Sequence, residues 1–183
     1  MWLTKPLFFD TDCLSAFLWV NNQSLLAQLY PGRIVIPNEV YVELSNPTIP
    51  HLKNRVDSLI KNNEAIIEDI QVDTEEYRLY RKMTYSRESG YKIIGSGEAA
   101  SIALAKARGG IVASNNLRDI KEYVSEYNLQ YKTTGDIMKE ALEKGLITET
   151  EGNKLWQDML KKRRKLGYTT FSEFLHNNDL KDK

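Results

Sequence analysis

The chain is poor in the residues that usually announce an activity. Of its 183 residues one is a cysteine, Cys13, and two are histidines, His51 and His176. A single cysteine excludes a disulfide framework within the chain and suits a reducing compartment. Cys13 runs into Leu14-Ser15-Ala16-Phe17-Leu18, so it reads as a small core residue rather than a nucleophile. One cysteine and two distant histidines give no zinc spacing, and no paired-histidine ribonuclease mechanism is visible. Gly95-Ser96-Gly97 lacks the lysine of a P-loop. Net charge is missing too: 25 Lys plus Arg stand against 25 Asp plus Glu, so any attraction to nucleic acid or membrane must be local. No apolar run approaches the roughly 18 residues of a membrane span. Asp10 and Asp12 interrupt the apolar stretch near the N-terminus, which argues against a cleaved leader. The expectation is a soluble cytoplasmic protein with no membrane partner.

What is present is an ordinary globular composition, 42% apolar and 27% charged, in a chain long enough for one real core. Neither an internal repeat nor a low-complexity linker divides it, so residues 1–183 read as one domain. Leu7-Phe8-Phe9 is a short apolar run that reads as a buried strand. Further strands are expected at Arg33-Ile34-Val35-Ile36, at Ala65-Ile66-Ile67 continuing to Ile70 and Val72 near an edge, at Ile111-Val112-Ala113 and at Leu129-Gln130-Tyr131. Helical spacing lies between them: Leu14 to Tyr30 broken at Asn21-Asn22, Asn38 to Leu44, Leu52 to Ile60, a helix capped by Asp73-Thr74 towards Tyr85, Ala99 to Ala107, and Leu117 to Tyr127. Ser86 to Lys92 reads as a loop, and Asp136–Glu143, Thr150–Leu166 and Ser172–His176 as closing helices. Strands alternating with helices imply a parallel sheet covered on both faces, an α/β fold.

In such a sheet, ligands collect beyond the carboxyl ends of the strands. Asp10 and Asp12, Glu43, Glu98 and the Asn115-Asn116…Asp119 turn all stand just beyond a strand or at a helix start. Each has a plain structural role as well. Asp10, Thr11 or Asp12 can start a helix, and Glu43 can be an ordinary exposed acid. Glu98 suits a helix dipole, and Asn116 with Asp119 has the spacing of a capping box. If the acids instead converge, each close pair repels by about 4 kcal/mol at an intermediate dielectric, and a cation must be held among them. Oxygen ligands alone select a hard ion, Mg²⁺ or Mn²⁺. Such an ion activates water against a phosphodiester.

The order of these motifs resembles the PIN domain, the nuclease fold of many bacterial toxin ribonucleases. It is similar to the group with a Gly-Glu-Ala third motif and a helical C-terminal extension. Phe8-Phe9-Asp10-Thr11 matches the first motif, Pro37 to Glu43-Leu44 the second, and Gly97-Glu98-Ala99-Ala100 the third. The fourth is normally Thr or Ser, any residue, then Asp; here it reads Ser114-Asn115-Asn116. The resemblance covers about residues 7–134, with residues of about 135–183 as the helical extension. It implies a three-layer α/β/α domain whose five-stranded parallel sheet has the order 3-2-1-4-5. It also implies metal-dependent cleavage of single-stranded RNA, leaving a 5′-phosphate and a 3′-hydroxyl. Asp10, Glu43, Glu98 and Asp119 become the candidate catalytic acids. The same four with Asn116 become the candidate ligands of Mg²⁺ or Mn²⁺, with Asp12 and Ser114 in an outer shell. The departure at Asn116 removes one charge, which Asp119, one helical turn later, can restore.

A toxin role with a neutralising antitoxin protein, and a homodimer, are further partner expectations. Two other readings compete. One is a PIN-like module that binds RNA or protein without cleaving. The other is a small α/β phosphohydrolase using Asp10 and Asp12 as nucleophile and acid. Finally, Lys161-Lys162-Arg163-Arg164-Lys165 stands out in a neutral chain. It reads either as a solvated helix end, where cations suit the dipole, or as a phosphate-binding patch for single-stranded RNA.

Overall fold

The computed structural model describes residues 4–85 and 92–179. The loop expected at Ser86 to Lys92 therefore lies, apart from Lys92, outside the described residues. Five short strands pair in parallel: β1 (Leu7–Phe9), β2 (Ile34–Pro37), β3 (Ala65–Glu68), β4 (Ile111–Ala113) and β5 (Gln130–Lys132). Their order is β3-β2-β1-β4-β5, so β1 is central and β3 and β5 are the edges. Phe8 aligns with Val35 on one side and Val112 on the other. These are unbroken buried runs, as central parallel strands require.

Alternation along each strand divides the core in two. Leu7, Phe9, Ile34, Ile36, Ile111 and Ala113 face one apolar layer. That layer contains residues of α1 (Thr11–Trp19), α2 (Gln23–Leu29), α3 (Asn38–Leu44) and α4 (Pro50–Lys61). Phe8, Val35 and Val112 face the other, built on α5 (Glu75–Tyr85), α6 (Ser96–Arg108) and α7 (Leu117–Glu126). The result is three layers, helix on sheet on helix. The last helices, α8 (Thr134–Glu143), α9 (Glu149–Lys161) and α10 (Phe171–Asp179), join the first layer. Trp156 is wholly buried there beside Phe171 and Phe174, and its Nε1 donates to the Tyr168 carbonyl at 3.0 Å. Among the described residues, no helix is long and apolar enough to cross a membrane.

Three elements depart from the sequence expectation. α1 begins at Thr11 rather than near Leu14, because Asp10 itself is the N-cap: its Oδ1 accepts the Cys13 backbone N–H at 2.7 Å. β3 ends at Glu68, short of Ile70 and Val72; Ile70 packs on the second core layer and Val72 is exposed. α9 stops at Lys161 instead of Leu166. Arg163 takes a left-handed φ of 59°, and the Arg163 and Arg164 N–H groups turn back to Leu160 and Met159 carbonyls at 2.8 and 3.1 Å. Arg164 then points inward, its Nη1 3.1 Å from the Ser15 hydroxyl and its guanidinium over the Trp19 ring.

Candidate active site

Parallel strands deliver their ends to one edge, and β1 delivers Asp10 to its middle. Asp10 is only 1% exposed. One of its oxygens caps α1, while Oδ2 is buried with no hydrogen-bond partner of good geometry. Burial pushes its carboxyl up to about 7, reinforced by the charges of Asp12 and Glu98 and opposed by the Ser114 hydroxyl and the Cys13 N–H. A crevice of about 230 Å³ opens beside it, lined by Asp10, Thr11, Asp12, Glu43, Gly95, Gly97 and Glu98.

Glu43, on the last turn of α3, reaches this crevice because three donors hold it there. The Thr11 hydroxyl donates to its Oε2. The Ser96 hydroxyl and the Gly97 N–H donate to its Oε1 at 2.8 and 3.1 Å. Gly97 is what lets α3 and α6 approach so closely. A Cβ there would sit 3.0 Å from Thr11 Oγ1 and 3.2 Å from Glu43 Oε1.

Glu98 lies in the first turn of α6. Its Oε2 accepts the Gly95 N–H at 3.1 Å, and its Oε1 accepts Asn116 Nδ2 at 2.6 Å. Burial raises its pKa; the Asn116 and Gly95 hydrogen bonds oppose this, and the Asp119 and Asp12 charges add to it. Asn116 makes no side-chain cap bond to α7. Its amide nitrogen instead bridges Glu98 to Asp119 Oδ2, the latter at 2.8 Å. The Lys92 ammonium holds Asp119 on its other oxygen and is the main cause of the lowered Asp119 pKa. Ser114 is fully buried, and its hydroxyl accepts the Asn116 N–H at 3.2 Å.

A family model described as the PIN domain matches residues 7–179. The chain belongs to the PIN-domain family. No curated protein matches the sequence closely enough to count as a relative. Among solved structures it is similar to one described as VapBC-1 from nontypeable Haemophilus influenzae. The identity is 16% and the TM-score 0.49, over 70% of this chain and 97% of that one.

The PIN fold of this chain thus brings Asp10, Asp12, Glu43 and Glu98 to one crevice, with Asn116, Asp119 and Ser114 in a network behind Glu98. Among the described residues, no three acidic, histidine or cysteine side chains are gathered tightly enough to hold a metal as they stand. The reason is visible in their partners: Glu43 turns to Thr11, Ser96 and Gly97, and Glu98 to Gly95 and Asn116. The donor set is nonetheless all oxygen, and Asp10 Oδ2 is a buried acceptor with no hydrogen bond of good geometry. Both features suit a hydrated hard cation.

Four of the five basic residues have identified surroundings, and these differ. Lys161 pairs with Asp158 at 3.1 Å, and Lys162 and Arg164 lie over Trp19. Lys165 lines a separate hollow beside Asn115 and Tyr131. Sequence reasoning does not single out Ser96 or Lys92, and places Thr11 only as a cap and as part of the first motif. A hydroxyl at the first helical position beside a motif acid is the one local signal for Thr11. Lys92 has none, because its partner is 27 residues away.

Proposed function

We propose that this PIN domain is a metal-dependent endoribonuclease acting on single-stranded RNA. The observation that carries the reading is the buried Asp10 Oδ2, which finds no hydrogen-bond partner of good geometry, the Ser114 hydroxyl being the donor on hand, and borders a crevice with three further acids. Burying an acceptor without a partner costs about 1–3 kcal/mol; Gln23 Oε1 and Glu39 Oε2 are in the same state, but Asp10 Oδ2 alone of the three belongs to a residue lining the acid crevice. Asp10, Glu43 and Glu98 would hold Mg²⁺ or Mn²⁺, with Asp119 and Asn116 behind Glu98 and Asp12 and Ser114 further out. A cation held there supplies Lewis acidity to the phosphodiester and lowers the pKa of water. The chain's own part is to fix the acids. Thr11, Ser96 and Gly97 orient Glu43, Gly95 and Asn116 orient Glu98, and the α1 N-terminus holds Asp10 Oδ1.

The deciding experiment is single-turnover cleavage of a mixed-sequence RNA with Mn²⁺, with EDTA as control, for wild type and Asp10→Asn. Loss of at least about 10²-fold in the variant, and of all cleavage in EDTA, is expected. Cleavage that persists in both would refute the assignment. A neutralising protein partner belongs to the same proposal, and co-purification of a small protein encoded beside this chain would test it.

One observation favours the second reading, a PIN domain that binds without cleaving. Asn116 places a neutral amide where the family pattern has an acid, and that amide already ties Glu98 to Asp119. Wild type that binds RNA but cleaves no RNA or single-stranded DNA would decide for it.

A further inference from the structure

Two hollows meet on the β4–β5 side of the sheet. The first, about 480 Å³, lies against Asn115, Thr133, Lys165 and Tyr168. The second, about 560 Å³, lies against Arg118, Lys121, Val124 and Leu129. Leu117 and Tyr131 belong to both and form the wall between them. Tyr131 is on the edge strand β5 and is 46% exposed. Asn115 lines the first hollow, and the next residue, Asn116, touches Glu98 at the acid crevice.

The chemistry of the lining is one-sided. On α7, Arg118 and Lys121 are three residues apart and both border the second hollow, whereas Glu122 and Glu126 do not. The Arg118 side chain is 89% exposed, 3.9 Å from Asp119. Lys165 adds a third cation from the α9–α10 connection. Asp136 is the acid of the first hollow, and it is occupied in capping α8, accepting from the Thr133 N–H and hydroxyl at 2.8 and 2.7 Å. An exposed aromatic face on an apolar floor, edged by cations and one residue in sequence from the Asn116–Glu98 contact, matches the alternation of bases and phosphates in a single strand.

We propose that this double hollow is the subsite for nucleotides flanking the scissile bond. A base stacks on Tyr131 above Leu117 and Leu129, and Arg118, Lys121 and Lys165 contact phosphates. The RNA path then runs along β5 and α7, and of the basic run at 161–165 only Lys165 lies on it. This inference rests on the ribonuclease reading for its substrate, but its test does not need catalysis.

The test is fluorescence anisotropy of the full chain with a labelled mixed-sequence 12-nucleotide RNA in EDTA, across a salt series. Tyr131→Ala should weaken binding by about 5- to 100-fold, the range of base–aromatic stacking, while Tyr131→Phe should bind like wild type. Arg118→Gln with Lys121→Gln should lower the salt slope by about 1.4, at roughly 0.7 per phosphate contact on a single strand. Lys154→Gln, on α9 and paired with Asp158, serves as the charge control and should change neither. Wild-type affinity in Tyr131→Ala, or a slope as low in the control, would overturn the subsite and give the groove to a protein contact instead. Failure of wild type to bind the RNA would overturn it as well. Binding with the expected pattern but no cleavage in Mn²⁺ would sink the nuclease reading and leave the double hollow as a binding site for single-stranded RNA.

Discussion

Replacing Asp10 with Asn should stabilise this protein, and by an amount that depends on pH. Burial moves the Asp10 carboxyl from the ordinary 3.8 to about 7. Between those values the folded state holds a proton that the unfolded chain has lost. Folding takes up that proton, so the Asp10 contribution to wild-type stability falls as pH rises from about 4 to about 7 and is level above that. A shift from 3.8 to about 7, at ~1.4 kcal/mol per unit, sets an upper bound of ~4 kcal/mol on the penalty. Asparagine carries no charge at any pH, matches the shape of the side chain, and caps helices as well as aspartate does. It can therefore keep the 2.7 Å bond from the Cys13 N–H while removing the charge beside Asp12 and Glu98.

The assay is thermal and urea unfolding of both proteins in EDTA at several pH values from about 4 to 8. The curves should coincide near pH 4 and diverge upwards, with Asp10→Asn ahead by about 2–4 kcal/mol at pH 8. For a chain of this size that is a Tm difference of about 5–15 °C. Adding Mn²⁺ at pH 8 should raise the wild type and not the variant, narrowing the gap, because a ligand stabilises only the form that binds it. Parallel pH profiles, or a variant less stable than wild type at pH 8, would show that Asp10 is already ionised at no cost. The argument from its orphaned oxygen would then fail.

Asn116→Asp removes the amide that bridges Glu98 and Asp119 and puts a third carboxylate there. Calorimetry should show tighter Mn²⁺ binding and EDTA unfolding a lower stability by about 1–3 kcal/mol; unchanged metal affinity would place Asn116 outside the cation's reach. Gly152→Ala would bring a Cβ to 2.4 Å from the Phe171 ring, prying α9 from α10, and should cost about 1–3 kcal/mol in urea despite the better helix propensity of alanine. Burial works against the Glu140 charge, but hydrogen bonds from Lys132, Lys144 and Tyr30 prevail and bring its pKa to about 2. Glu140→Gln should therefore cost about 1–2 kcal/mol near neutral pH, after allowance for solvent screening. Because the folded pKa is depressed, that cost should vanish as pH falls below about 4 towards 2, and a pH-independent loss would point to packing instead.

The strands and the acids at their ends were legible because they obey short-range rules. A run such as Ile34-Val35-Ile36 can only be buried, and in a parallel sheet the residues after each strand share one edge. What was not legible is set by contacts far apart in sequence. Lys and Arg are good helix formers, so the basic run at 161–165 reads as a continuation of α9. Arg164 instead crosses to Ser15, 149 residues away, and the helix must end before it can turn. The same limit applies at the centre. Local spacing suggested that Asn116 caps α7 with Asp119 in reply, but the amide of Asn116 faces Glu98, which no local rule brings near. Seen with its neighbours, the substitution is more than the loss of a charge. Glu98 and Asp119 keep their two charges, and between and beside them stand an amide N–H₂ and the Lys92 ammonium. An acid at 116 would need a cation to hold the three together, whereas asparagine and lysine hold the two without one. On the proposed reading, the oxygen most in need of an added cation is therefore Asp10 Oδ2, which has no partner of good geometry within the chain.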